Sequence, residues 1–252
     1  MMRRLKRMGL ALALATALAP SAAQAQARYD SPAAAADALV TAIATGDEDG
    51  LKRSLGPQFR RFVPQDSISR EDVYTFLAAW HDHHEVAETS PGRAALFVGR
   101  QDWTFPAPLV ERNGRWSFDL RAGVEEMRVR RIARNESAAI ETLVALCTAQ
   151  DRYRARYGHP AARIVSREGE TDGLYWDAGS DPEPSPLGDE ALVMTSDTPA
   201  PDAWHGYHYG VTSPRNDSGC AFRAWPAAPG QSGQRMFTID ADRTVKEARR
   251  AR

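Results

Sequence analysis

The sequence predicts an α+β fold: N-terminal helices and a short antiparallel meander, then a long helix packed on a C-terminal antiparallel sheet. Three observations carry that expectation. Residues 31–84 hold helical spacing with strong start and stop signals. Between Ala94 and Asp119 the apolar period switches to two. A long amphipathic stretch, residues 136–157, then precedes short alternating segments separated by turn residues. The domain division expected from this is a signal peptide at 1–27, an N-terminal α+β module at 28–122, and a helix-plus-meander module at 123–252.

Ser31-Pro32 is an N-cap followed by proline at the first helical position, and the helix it opens ends at Thr45-Gly46-Asp47. A short helix around Asp49–Leu55 is stopped by Gly56-Pro57. A third begins near Ser69, with Glu71 and Asp72 in its first turn and Val73, Phe76, Leu77 and Trp80 along it. Ala95–Val98, Trp103–Phe105 and Leu109–Glu111 are strand-like, and Asn113-Gly114 joins Pro108–Arg112 to Arg115–Asp119 as a hairpin.

Asn135 is the expected N-cap of the central helix, preceded by a charged connector, Glu125–Arg134. Ile140, Leu143, Val144 and Cys147 recur at the spacing of one buried face, and Leu146, Gln150, Tyr153 and Tyr157 extend an adjoining stripe. Gly158 and Pro160 end a helix about 33 Å long at ~1.5 Å per residue. Residues 164–187 are loop-rich. Strands are expected at Gly206–Thr212, Cys220–Trp225, Arg235–Asp240 and Thr244–Lys246, with Pro214–Gly219 as one of the turns between them.

Arg3, Arg4, Lys6 and Arg7, an apolar run from Gly9 to Ala19, and Ala-Gln-Ala sequences ending at Ala25 and Ala27 form a secretory signal, and a periplasmic address is expected. That apolar run is too short to span a bilayer, and no other apolar run is long enough, so the mature chain is expected to lack a transmembrane segment. Removing the four basic residues of the signal from the 32 Lys and Arg leaves 28 against 33 acids, a net charge of −5. An acidic surface argues against nucleic acid as a partner.

The segments R-R-I-A-R-N-E, A-Q-D-R-Y, D-G-L-Y-W, S-P-L-G, H-G-Y-H-Y and A-W-P, with W-T-F-P-A-P-L-V, W-S-F-D and the turn Gly230–Gly233 before M-F-T-I-D, occur in this order over almost the whole mature chain. In these the sequence resembles a family of exported bacterial proteins defined only as a domain of unknown function. It departs in having Ala133 where that family has glycine, and in lacking its last glycine-containing hairpin. That resemblance implies no activity and transfers no catalytic residue. From about Asn135 to Lys246 the chain is also similar to the globular part of type IV pilins and pseudopilins, without their apolar N-terminal helix. Pilus assembly is therefore not implied.

Cys147 and Cys220 are the only cysteines, and an oxidising compartment favours a bridge between them. Tyr175, Trp176, Trp204, Tyr207 and Trp225 are a candidate ligand platform, set against the ordinary use of aromatics as core. Asp177, Asp181 and Asp189 lie in an acid-dense loop. Calcium is one reading of them and ordinary loop acids the default; no other cofactor is implied. His81 and His84 share a helix face, while His205 and His208 are expected on opposite faces of a strand. Glu125, Glu126, Arg130, Arg131, Arg134 and Glu136 are read as an interdomain ion network.

No serine elbow, zinc-peptidase helix, P-loop or dinucleotide fingerprint is present, which lowers the case for an enzyme. The reading is therefore a non-catalytic envelope protein that binds or scaffolds a protein or glycan partner. The alternative is a peptidoglycan-binding module or weak cell-wall hydrolase built on the 172–189 loop.

Overall fold

In the computed structural model, residues 25–64, 68–101, 103–212 and 220–248 are described. The expected signal peptide and the turn 214–219 fall largely or wholly outside them. The chain divides into two units, Met1–Leu120 and Arg121–Arg252.

In the first unit, α1 (Pro32–Thr45) starts where Ser31 accepts from the Ala34 N–H, and stops at Gly46 in the left-handed region. It presents Ala35, Ala36 and Leu39 inward; small residues here let the helix lie close to the sheet. Asp47 caps α2 (Glu48–Leu55), which leads through a single tight turn to Phe59 and Phe62 in the core. Ser69 and Asp72 form a reciprocal capping box at the start of α3 (Arg70–Asp82). Yet none of the residues of α3 is fully buried. With little tertiary burial to hold it, this helix leans on its cap: Ser69→Ala is expected to lower the first unit's stability by ~1 kcal/mol, read as a lower urea midpoint.

Five antiparallel strands follow: β1 (His84–Ser90), β2 (Arg93–Val98), β3 (Trp103–Thr104), β4 (Leu109–Arg112) and β5 (Arg115–Phe118). They run in the order β1-β2-β4-β5, with β3 also paired to β2. Ala94, Leu96 and Val98 alternate onto the buried face, joined by Phe105, Leu109 and Phe118. Asn113 and Gly114 both have positive φ, as the predicted hairpin turn requires. The sequence reading lacks β1, and it places His84 on a helix, whereas His84 opens this strand.

The second unit corrects the central element. One helix, α4, runs unbroken from Leu120 to Tyr157, 38 residues and about 57 Å. The stretch read as a connector is its first half. It is rich in good helix formers and is laced by Glu125–Arg128 and Glu126–Arg130 pairs at i, i+3 and i, i+4. Asn135 is not a cap but lies inside the helix, where its Nδ2 donates to the Ser232 carbonyl at 2.8 Å. The buried stripe is close to the expected one, with Ala139 added and Val144 turned outward. Ala139, Leu143, Leu146, Cys147, Gln150 and Tyr153 face inward, while Val144 is 46% exposed.

The C-terminal meander is as expected: β8 (Tyr207–Val211), β9 (Phe222–Pro226), β10 (Met236–Ile239) and β11 (Val245–Ala248), each antiparallel to the next. Before it, two three-residue strands, β6 (Arg163–Val165) and β7 (Gly173–Tyr175), pair in parallel inside the region read as loop. Tyr207, Tyr209, Phe222, Ala224, Phe237 and Ile239 pack against α4, so the helix is covered by the sheet. Cys147 on α4 and Cys220 ahead of β9 form a disulfide, with Cα atoms 5.0 Å apart. Among the described residues no helix is long and apolar enough to cross a membrane.

Candidate functional site

The first unit holds a cleft of about 1010 Å³ between α1, α2 and α3, floored by the sheet. Its walls are Leu39, Ala42 and Ile43 of α1, Leu51 and Leu55 of α2, and Val73, Phe76 and Ala79 of α3, with Val98, Trp103 and Phe105 beneath. The half-exposed state of α3 follows from this space. Val73, Phe76 and Ala79 present their apolar surface to this hollow.

Edge-to-face contacts at 5.6–6.3 Å link Phe76, Trp103, Phe105, Phe62 and Phe118, so the aromatic floor is fixed by mutual packing. Trp103 is nevertheless 47% exposed, and Ile68, at the cleft's edge, 50%.

Polar groups sit at the rim. Arg60 pairs with Glu48 at 3.2 Å, and Arg100 grips Asp82 through two hydrogen bonds of 2.8 and 2.9 Å. The Arg100 guanidinium holds the Asp82 carboxyl below its ordinary range. Hydrogen bonds from Ser69 do the same for Asp72. Both carboxylates stay ionised and engaged near neutral pH, so neither is suited to proton transfer there. The cleft is built to hold an apolar body.

The residues singled out from sequence are distributed differently. Tyr175, Trp176 and Tyr207 are buried in the second core, with Trp204 packed against it. Trp225 projects from the other face of the sheet beside His208, with Arg223 over its ring. They are not a solvent-facing platform. Apolar rings in a unit this small are needed to fill its interior, and that use takes precedence. His208 is buried in β8, whereas His205 lies in a tight turn at φ 50° rather than in the strand.

Tyr175 donates toward Asp189 and Asp177 at 3.0 and 3.3 Å; the bond to Asp189 and burial push its hydroxyl up to about 12. Asp181 is held by the Glu183 N–H, the Tyr157 hydroxyl and Arg156. Among the described residues no three His, Cys, Asp or Glu side chains are grouped to hold a metal ion, so Asp177, Asp181 and Asp189 are not assembled as a calcium site. A second cleft, about 480 Å³, lies beside Tyr157, Trp176, Arg152 and Glu183.

The residues read as an interdomain network instead do much of their work within the second unit. Along one face of α4, Arg128 Nη1 donates to Gly230 O at 2.6 Å, Arg131 Nε to Gln231 O at 3.3 Å, and Asn135 to Ser232 O. Glu136 accepts from the Gln234 and Arg235 N–H groups at 3.0 and 3.1 Å and from the Arg235 side chain. The spacing 128, 131, 135, 136 is that of one helical face reading a turn backbone step by step. The turn fits because a side chain at Gly233 would collide with the Tyr207 ring, and Gly206, at φ 72°, abuts Asn135 and Ser232. Arg134 is exposed on the same helix.

The apolar cleft was missed from sequence because a hollow is a property of tertiary packing; the sole hint was a third helix whose apolar residues are too few for a core element. No curated protein and no solved structure matches the chain. Residues 26–249 match the family described as a protein of unknown function, DUF2950, and the chain belongs to that family.

Proposed function

We propose that this chain is an exported, non-catalytic binding protein whose first unit carries an apolar ligand in the α1–α2–α3 cleft. The observation that supports this most is α3 itself: a well-capped helix with no fully buried residue, suspended over an apolar hollow of about 1010 Å³. Protein interiors are close-packed, and typical ligand pockets run to roughly 300–1,000 Å³. A hollow at the top of that range gives a ligand somewhere to go. The signal-like N-terminus supports an envelope location.

An environment-sensitive apolar dye should therefore bind the native protein saturably at about one site and perturb tryptophan emission, since Trp103 lines the cleft. Absence of saturable binding would defeat the proposal. A second reading, a glycan-binding module, rests on the smaller cleft at Tyr157, Trp176 and Glu183. Co-sedimentation with peptidoglycan sacculi tests it separately.

A further inference from the structure

From the way polar and apolar groups are arranged around the same cleft, we infer that its ligand is a single-chain amphiphile, held by its hydrocarbon chain with the head group left outside. This rests on the binding reading above and narrows it to one class of ligand.

Three observations lead there. The walls are largely helical, and helices keep their backbone donors and acceptors in their own ladders. Buried side-chain atoms lacking a hydrogen-bond partner, such as Gln150 Oε1 and His208 Nδ1, belong to the second unit, and none of the described residues lining the cleft carries one. An extended peptide backbone or a sugar buried in this cleft would leave its own polar groups unsatisfied. A hydrocarbon chain has none to satisfy.

The third observation concerns the head group. Both guanidinium groups at the rim are already matched, Arg60 by Glu48 and Arg100 by Asp82, and the Asp72 carboxylate is taken up by the α3 cap. Among the described residues lining the cleft, no unpaired cation or anion is left to select a head charge. Selectivity should reside in chain length. Aromatic side chains at the floor (Phe76, Trp103, Phe105) give a methylene chain flat, non-directional contact.

The test uses the purified protein and displacement of a fluorescent fatty acid, below micelle concentrations. Saturated fatty acids of increasing length should gain roughly fourfold in affinity per methylene until the cleft is full, the factor that corresponds to ~0.8 kcal/mol. At one chain length a fatty acid, a fatty alcohol and a lysophosphatidylcholine should agree within about fivefold, the scale of an exposed charge interaction. Val73→Trp, which fills the space from the α3 side, should weaken every chain at least tenfold. If that variant fails to fold, Ile43→Trp on the opposite wall serves the same purpose.

Affinity that follows head charge, or a preference for fused rings or apolar peptides over chains, overturns the single-chain assignment and leaves apolar binding standing. Unchanged affinity in a folded filling variant overturns the location. If neither the dye nor any chain binds, the binding reading fails as well.

Discussion

Reduction of the Cys147–Cys220 bond should lower the stability of the second unit by ~4 kcal/mol and its melting temperature by on the order of 10–15 °C. The bond ties the middle of α4 to the start of β9 and closes a loop of 73 residues. In the chain-entropy account such a loop restricts the unfolded ensemble by that amount. The Cα separation of 5.0 Å lies within the range disulfides adopt, and both residues are buried among the side chains that join the helix to the sheet.

Calorimetry with and without a strong reductant, repeated on Cys147→Ala/Cys220→Ala, measures the effect. The double variant should melt where the reduced protein does, and the first unit's transition should stay in place. A reductant that moves neither transition would show the bond adds nothing to the fold. In an oxidising envelope the bond would persist, which ties the predicted address to the stability of this unit.

Much of the fold was legible because its signals are local. Ser31-Pro32, the Ser69–Asp72 box and Asn113-Gly114 each fix an element end through side chains within three residues of the backbone they satisfy. Alternation placed the four-strand meander, since Tyr207/Tyr209 and Phe222/Ala224 must share the face that meets α4.

The misses have equally physical causes. β1, H-E-V-A-E-T-S, is an edge strand with only Val86 and Ala87 half-buried, so it carries almost no apolar period. β6 and β7 are three residues each, too short for a pattern. The first half of α4 is charged on most sides and reads as a connector. What holds it in the second unit is a turn about 100 residues away, gripped through backbone carbonyls that no sequence pattern displays. The sequence could not choose between an aromatic platform and an aromatic core, because ring content is visible in a sequence but solvent exposure is not; Tyr175, Trp176 and Tyr207 take the core use.

That same grip gives the second large effect, at Glu136. The residue is only 4% exposed, yet its carboxylate accepts four hydrogen bonds: two from backbone N–H groups of the turn and two from the Arg235 guanidinium at 2.7 and 2.5 Å. Burial alone would raise its pKa; the Arg235 side chain and the Gln234 and Arg235 N–H groups outweigh that and hold it below the ordinary glutamate value.

Glu136→Ala leaves those two N–H groups facing a cavity, and the expected loss is ~2–3 kcal/mol in the second unit, moderated because half of the Arg235 side chain still reaches water. Because the folded-state pKa lies below the unfolded one, the stabilisation is complete above the ordinary glutamate range, about pH 4–5, and fades as the pH falls through the folded value. Glu136→Gln keeps the shape but cannot change charge. Its second-unit stability should start lower at pH 7 and decline less steeply on acidification than that of the parent. Urea midpoints measured from pH 7 to pH 3 would decide it. Parallel curves for the two proteins would remove Glu136 from the acid response, and identical midpoints at pH 7 would show that the helix holds its turn without the carboxylate.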